Sequence, residues 1–481
     1  MVGINTGLYI GYSGLQAARG GLLVTGNNIA NVHTEGYSRQ AANLVPGITL
    51  YEGSRVLFGS GATIHSVSAM RDRLVERELR ENTSRFSYHR DLNSLLRSSE
   101  AMLQDGEEAG LGPDMARLFQ SLQKAAGSPD QLAYRSEVLE AGSQVARTIR
   151  SQYQALDEQN KGINQQVAHQ VEQINQLTST IAALNRQIGA TPGGAPSLVD
   201  ERNAAVNRLA EMIDIQVYEL DNDLVQVNAS SINALLVGRE SSFDLITQTN
   251  PGNLNYYDVL VDQGASTTNL TSAIHGGSLG ALLQARDVDN RQALRELDNL
   301  AAGLIDGFNA IHSTGFAMDG VTTGLNFFTP FPTGAPGPDN HFGAASAIGL
   351  SVDVAGLPQN LALSATGAIG DNGVGLLLAQ LRASPTVIDN DGDGLAETGS
   401  YEGFHALRLT NLGAKIASSG SAQENQQILM EQAQNRRDEI SGVSLDEEAM
   451  NLSQFQKAFE ANSRFLRMID QLMGQIIADL G

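Results

Sequence analysis

The strongest constraint on this chain sits at its two ends, each of which carries an apolar heptad uninterrupted by proline. Near the N-terminus Leu8, Leu15, Leu22 and Ile29 stand seven apart, with Ile4, Ala18 and Val32 at alternate seam positions. Near the C-terminus Leu445, Leu452, Phe459, Leu466, Met473 and Leu480 keep the same interval. Phe455, Asn462, Ile469 and Ile476 follow three residues behind members of that row. A sustained a/d pattern makes a helix with one apolar stripe, and the stripe needs a partner helix. Proline first occurs at Pro46 and last at Pro385, so both ends can run as long helices. Residues 4–32 predict a helix of about 43 Å and residues 445–480 one of about 50 Å, at 1.5 Å per residue. Two such helices imply a chain closed end to end, or one built to join other chains.

Between the ends the text changes character several times. Residues 41–69 read as short strands punctuated by Gly47, Gly53, Gly59 and Gly61. Helical text resumes near Arg71 and runs toward Ala190, with one break around Gly106–Pro113. Its strongest stripe is Ile163, Val167, Val171, Ile174, Leu177, Ile181, Leu184 and Ile188, and the Gln- and Asn-rich remainder reads as an exposed bundle face. A breaker at Thr191–Pro196 precedes a short helix over 198–212 and β-like alternation over 214–262. Ser278 is expected to open a helix running to about His312. Residues 316–402 hold six of the prolines and read as a separate, loop-rich β domain inserted between helices. Helical text returns at His405, and Ser444-Leu445-Asp446-Glu447 predicts a capping box opening the last helix. The fold expected is mainly α with inserted β, in an elongated multi-domain chain. Residues 1–40 with 441–481 form a terminal coiled coil, 41–315 with 403–440 a long helical-bundle domain, and 316–402 a β-rich outer domain.

Composition narrows the function more by exclusion than by pointing. A length of 481 residues suggests two to four domains. A formal charge of −22 argues against a general binder of nucleic acid or anionic membrane. With no Cys there is no disulfide, thiolate metal site or thiol nucleophile. No run of 18 apolar residues occurs, and the first 35 residues lack the basic start and unbroken apolar core of a cleaved secretory signal.

Candidate chemistry is sparse. The eight His residues are scattered and form no metal-binding pair. Gly276-Gly277-Ser278-Leu279-Gly280 matches a G-x-S-x-G nucleophile elbow, against which stands the simpler reading of Ser278 as a helix cap. The segment from Asp389 to Glu397 places Asp389, Asp391, Asp393 and Glu397 as a calcium loop would, but Ser400 stands where the bidentate acid belongs. The alternative is an acidic hairpin tip following Val387-Ile388.

The motifs beside the terminal stripes carry a resemblance. Asn27-Asn28-Ile29-Ala30-Asn31 with Thr34-Glu35-Gly36-Tyr37-Ser38-Arg39-Gln40, and the ending from Phe455 through Glu460-Ala461-Asn462-Ser463, resemble the two ends of bacterial flagellar axial proteins. Gly442-Val443-Ser444-Leu445-Asp446-Glu447-Glu448, Gly277–Leu282 and Phe308–His312 are similar to the hook-associated protein 1 (FlgK) family within that group. The resemblance implies a structural, non-enzymatic role at the hook–filament junction, with self-assembly into a ring of about eleven subunits around a central channel. It implies the hook protein, a second junction protein of the hook-associated protein 3 type and a cytoplasmic export chaperone as partners, and neither nucleic acid nor membrane insertion. It implies type III export to the extracellular flagellum without signal cleavage. Leu8, Leu15, Leu22, Asn27, Asn28, Ile29, Asn31, Leu452, Phe455, Phe459, Asn462, Leu466, Ile469, Met473 and Ile476 would then form the assembly interface. A hook or distal-rod subunit, a calcium-stabilised secreted adhesin and a hydrolase built on Ser278 are the alternatives.

Overall fold

The computed structural model describes residues 2–34, 36–47, 49–52, 55–191, 195–229, 232–264, 266–332, 341–388 and 397–480. The chain starts with helix α1 (Val2–Ala30) and ends with helix α11 (Leu445–Leu480), which pack against each other. After α1, strands β1 (Gln40–Pro46) and β4 (Ala62–Ala69) pair antiparallel, and between them β2 (Thr49–Glu52) pairs with β3 (Arg55–Gly59). The β1–β4 pair lies against α1, where the Ser13 hydroxyl donates to the Ser60 carbonyl at 3.2 Å.

A rod of helices follows: α2 (Arg73–Leu103), α3 (Leu111–Gly127), α4 (Leu132–Gly189) and α5 (Pro196–Met212). At 58 residues, α4 is a spine of about 87 Å. The sequence predicted one interruption between Arg71 and Ala190; the structure has a second, at Ser128–Gln131. Pro129 there cannot donate a helical hydrogen bond, which lets α3 fold back beside α4. Strands β5 (Ile215–Glu219), β6 (Val225–Ala229) and β7 (Ala234–Val237) form one antiparallel sheet. Strands β8 (Leu245–Asn250), β9 (Tyr256–Asp262) and β10 (Thr267–Asn269) form a second. Helix α6 (Gly277–Gln284) then runs through a π-helical turn at 285–289 into α7 (Asn290–His312). Helix α10 (Tyr401–Ser441) returns along α2.

Two large apolar cores share the spine, and a small third cluster of Ile188, Val199 and Leu224 sits at its end. The stripe of α4 from Ile163 to Ala182 joins α2, α5, α6 and the two sheets in one core. The earlier half of α4 joins α3 and α7 in the other. The expected Asn-rich exposed face is here a docking device. Asn185 is fully buried, and its side-chain amide both donates to Val225 O (2.7 Å) and accepts from Val225 N (3.3 Å). Asn175 does the same to Leu245, at 2.8 Å each way. Each amide supplies a strand backbone with the partners a neighbouring strand would give, so α4 hydrogen-bonds directly to the sheets.

The expectation of a separate β-rich domain at 316–402 is corrected. Its described residues contain two short helices, α8 (Ala344–Ala347) and α9 (Gly373–Gln380), and one hairpin, β11 (Thr386–Ile388) with β12 (Glu397–Gly399). The segment is not independent, because Phe327, Phe328, Ile348, Leu361, Leu363 and Leu378 are wholly buried in the core built by α3, α4 and α7. Phe327 sits 5.2 Å from the Phe308 ring and 4.8 Å from Phe328. Asn309 of α7 fixes the approach by accepting from Phe327 N and Phe328 N and donating to Phe328 O, each at 2.9 Å. The prolines and glycines that suggested a separate module instead let the chain wrap this end of the rod.

His312, at the end of α7, is buried in that wrap. Ala362 N donates to its Nε2 at 2.8 Å, so the Nδ1 proton faces Leu325 O at 2.7 Å and the ring is neutral. Burial pushes its pKa down from 6.5 to about 4. The unfolded chain therefore binds more protons between those two values, and stability is complete above about pH 6.5 and falls as pH drops toward 4, at roughly 1.4 kcal/mol per unit. Chemical unfolding at pH 7 and pH 5 should show a larger loss in the wild type than in a His312→Asn variant; equal losses would remove His312 as the cause.

Candidate assembly interface

Helix α1 contains seven glycines in 29 residues. Each costs up to about 1 kcal/mol against alanine in a helix, so α1 must be held by what it packs on. The structure shows why the glycines are there. A β-carbon added at Gly7 would lie 2.7 Å from Ile469, at Gly11 2.7 Å from Leu466, and at Gly14 2.6 Å from Asn462 Oδ1; at Gly21 it would overlap the Phe455 ring. The helices are thus antiparallel, and large side chains of α11 sit in a groove of absent side chains on α1.

This places the seam of α1 one residue away from the predicted leucine row. Gly7, Gly11, Gly14, Ala18, Gly21, Thr25 and Asn28 follow the 4-3 spacing of a seam. Ala18, Thr25 and Asn28 on it are 3% exposed or less. Leu8, Leu15, Leu22 and Ile29 flank it, half-buried. On α11 the predicted row faces inward. Leu452, Phe455, Phe459, Asn462, Leu466 and Met473 are half-buried and Ile469 buried, whereas Leu445 and Ile476, toward the two ends, remain 51% and 41% exposed. Asn462 lies over Gly14, and its side-chain NH2 donates to Ala458 O within its own helix at 2.9 Å. The side chains of Ile4 and Leu480 lie outside the described set.

A second apolar face of the pair is open. Phe465, Met468 and Leu472 stand 40–59% exposed at helical spacing with Ile476, and Tyr9, Tyr12 and Leu23 of α1 are exposed as well. Isolated exposed apolar residues need no explanation, but a row of them on one helix face is a surface for another chain.

The end of α1 is tied to the rod by a knot of hydrogen bonds. Asn28 both donates to Gln40 O and accepts from Gln40 N, each at 2.9 Å, and Tyr37 Oη donates to its Oδ1 at 2.8 Å. Asn27 donates to Tyr37 Oη at 3.2 Å, and Asn31 back-bonds to Asn27 O at 2.9 Å. Burial, with Asp200 and Glu448 nearby, pushes the Tyr37 phenol up to about 12, so it stays protonated. Arg39 then clasps the start of α11. Its backbone N–H donates to Ser441 O at 2.8 Å, and its guanidinium meets Glu447 at 2.6 Å and Glu448 at 2.8 Å. Arg437 of α10 completes the joint, reaching Glu76 of α2 at 3.1 Å and Gly36 O at 3.0 Å. Residue-by-residue reading missed Arg39, Glu448, Arg437 and Glu76, because the pairs are about 360 to 410 positions apart. The capping box is also half as expected. Ser444 Oγ faces Glu447 N at 3.5 Å, but the Glu447 carboxylate is spent on Arg39.

The elbow expected at Ser278 does not assemble. Ser278 is not the cap of α6. Gly276 is, Gly277 takes the left-handed conformation (φ +66°) as the first residue of the helix, and the Ser278 hydroxyl meets Gln170 of α4. The stretch 270–276 is turn, not the strand that a nucleophile elbow needs. Asp389, Asp391 and Asp393 lie outside the described residues; Glu397 opens β12, which pairs antiparallel with β11. Among the described residues no three His, Asp or Glu side chains gather as a metal site requires, and no helix is long and apolar enough to cross a membrane.

The glycine groove yields a direct test. Gly21→Leu should expel Phe455 and raise amide exchange across residues 445–480, with the rod unaffected. Gly26→Ala, where nothing lies within 4 Å, should be neutral or gain up to about 1 kcal/mol. Unchanged protection of α11 in the Gly21→Leu chain would show that the groove does not hold the pair.

Comparison with known proteins agrees with this architecture over almost the whole chain. The family described as flagellar hook-associated protein FlgK helical domain matches residues 96–328. Flagella basal body rod protein matches 8–37, and flagellar basal body rod FlgEFG protein C-terminal matches 434–479, the two halves of the terminal pair. Flagellar hook-associated protein 1 of Bacillus subtilis is 26% identical, over 99% of this chain and 98% of that protein. Its Escherichia coli counterpart is 23% identical, over 97% and 98%. The structure of the flagellar hook junction protein FlgK from Burkholderia pseudomallei shares the fold, with a TM-score of 0.65 and 16% identity, over 76% of this chain and 100% of that one. Over almost its whole length, therefore, the chain is similar to flagellar hook-associated protein 1 (FlgK).

Proposed function

We infer that this chain is a structural subunit of the bacterial flagellum that forms the hook–filament junction and lets the filament assemble beyond it. The observation that carries this is the terminal pair: one helix face is closed by the glycine groove, and another, lined by Phe465, Met468 and Leu472, is left open. A partly closed helix pair is what a subunit needs if it is to keep its own fold and still bind neighbours laterally. The rod, with its own two cores, then stands outside the tube formed by the pairs.

The finer picture is a proposal of the same kind. Self-assembly closes a ring of about eleven copies, the number that the family resemblance implies. The ring has the hook protein on one side and a second junction protein of the hook-associated protein 3 type on the other. A cytoplasmic chaperone covers the open face of α11 before export to the extracellular flagellum. The role is mechanical, not catalytic. Calcium at the Asp389–Glu397 loop, if bound, would stiffen one hairpin and leave the junction chemistry untouched.

Replacing both Leu466 and Met473 with Asp should leave the rod folded, because neither residue belongs to its cores. The charged pair should nevertheless prevent incorporation. Electron microscopy of cells carrying the variant is expected to show hooks without filaments, and normal filaments would overturn the assignment.

A further inference from the structure

Between β4, α2, α5 and the β5–β6 pair lies a cavity of about 380 Å³ whose wall carries Arg71, Arg73, Arg80 and Arg202. Such a concentration of cations is unexpected in a chain of formal charge −22. Most of the carboxylates around it are already engaged. Asp200 holds Arg71 at 2.5 Å, Glu219 holds Arg73 on the rim, and Glu76 meets Arg437 at 3.1 Å. Two guanidiniums, Arg80 beside Glu76 and Arg202 beside Asp223, keep N–H groups without an acceptor. Arg202 is 4% exposed, and its N–H groups reach only the Asp223 backbone carbonyl and the neutral Asn203 side chain. The side chain of Arg80 is 12% exposed, with Glu76 at 3.7 Å, beyond hydrogen-bond reach, and it makes no hydrogen bond among the described residues.

A guanidinium carries five N–H donors, and leaving them buried without acceptors is costly. We propose that this cavity binds a small dianionic oxyanion of the phosphate or sulfate type, held between Arg80 and Arg202. A tetrahedral anion offers enough oxygens for the spare N–H groups of two planar forks at once; a monocarboxylate satisfies only one. The surrounding electrostatics agree. Burial, and after it the charge of Arg71, pushes Arg202 down to about 10, and burial lowers Arg80 as well. An anion between them opposes both shifts. It would also tie α2 to α5 on the flank of the rod nearest the Arg71–Asp200 pair.

The test is a titration of the purified full chain with sodium phosphate in chloride buffer at constant ionic strength, read by calorimetry and by the melting temperature. Saturable binding with a rise in melting temperature is expected. It should be at least tenfold weaker in Arg80→Gln and unchanged in Arg147→Gln, an arginine 46% exposed on α4. Sodium acetate should not compete; competition at equal concentration would overturn the dianion assignment. Absence of saturable phosphate binding, or equal binding by Arg80→Gln, would overturn the site. Should Arg80→Gln fail to fold, the arginine Nε–Hε resonances of the wild type report instead. Phosphate should shift those of Arg80 and Arg202, and unmoved resonances would overturn the proposal.

Discussion

The structure depends on large side chains of α11 entering the space left by glycines on α1. That contact joins residues more than four hundred positions apart and brings both ends of the chain to the same place on the rod. It also sets the register, because Phe455, Asn462, Leu466 and Ile469 each have one small-residue site to enter. Most seams gain energy from apolar area on both helices. Here one helix supplies area and the other supplies room, so the backbones approach closely and dispersion contacts replace part of what leucine pairs would give. Arg39, Glu447 and Glu448 can meet only because the pair delivers the start of α11 beside the turn after α1.

A second device recurs through the molecule. Asn28, Asn175, Asn185 and Asn309 each sit on a helix and bracket the N–H and C=O of one residue elsewhere: Gln40, Leu245, Val225 and Phe328. A side-chain amide has the donor and acceptor of a peptide group, so it can terminate a strand or loop on a helix without leaving polar backbone unpaired. In a chain without cysteine or tryptophan, these brackets do the work of joining unlike layers. The first of them lies in the motif that flags the family, so that motif also has a purely structural reason to look as it does.

Much of the fold was legible in periodicity. The terminal helices, the strand-rich stretch after α1, the stripe of α4 and the helix before β5 follow from apolar spacing and from proline and glycine. The inward row of α11 was readable because its residues have side chains to count. The seam of α1 was misplaced by one residue because glycine is silent in a hydrophobic pattern, although a 4-3 repeat of small residues was present. The segment 316–402 was misjudged for a related reason. Its prolines and glycines describe how the chain turns, whereas Phe327 and Phe328 decide where it docks, and two phenylalanines have no period. The clasp of Arg39 and Arg437 lies beyond local reading altogether, since it depends on the closure of the chain.

Closure also has a cost in time. A ribosome releases residue 14 long before residue 462 exists, so α1 passes almost the whole of synthesis without the helix that fills its groove. During that interval a segment with seven glycines has little reason to stay helical. The rod, whose cores lie between the ends, can fold first, and the two termini meet last.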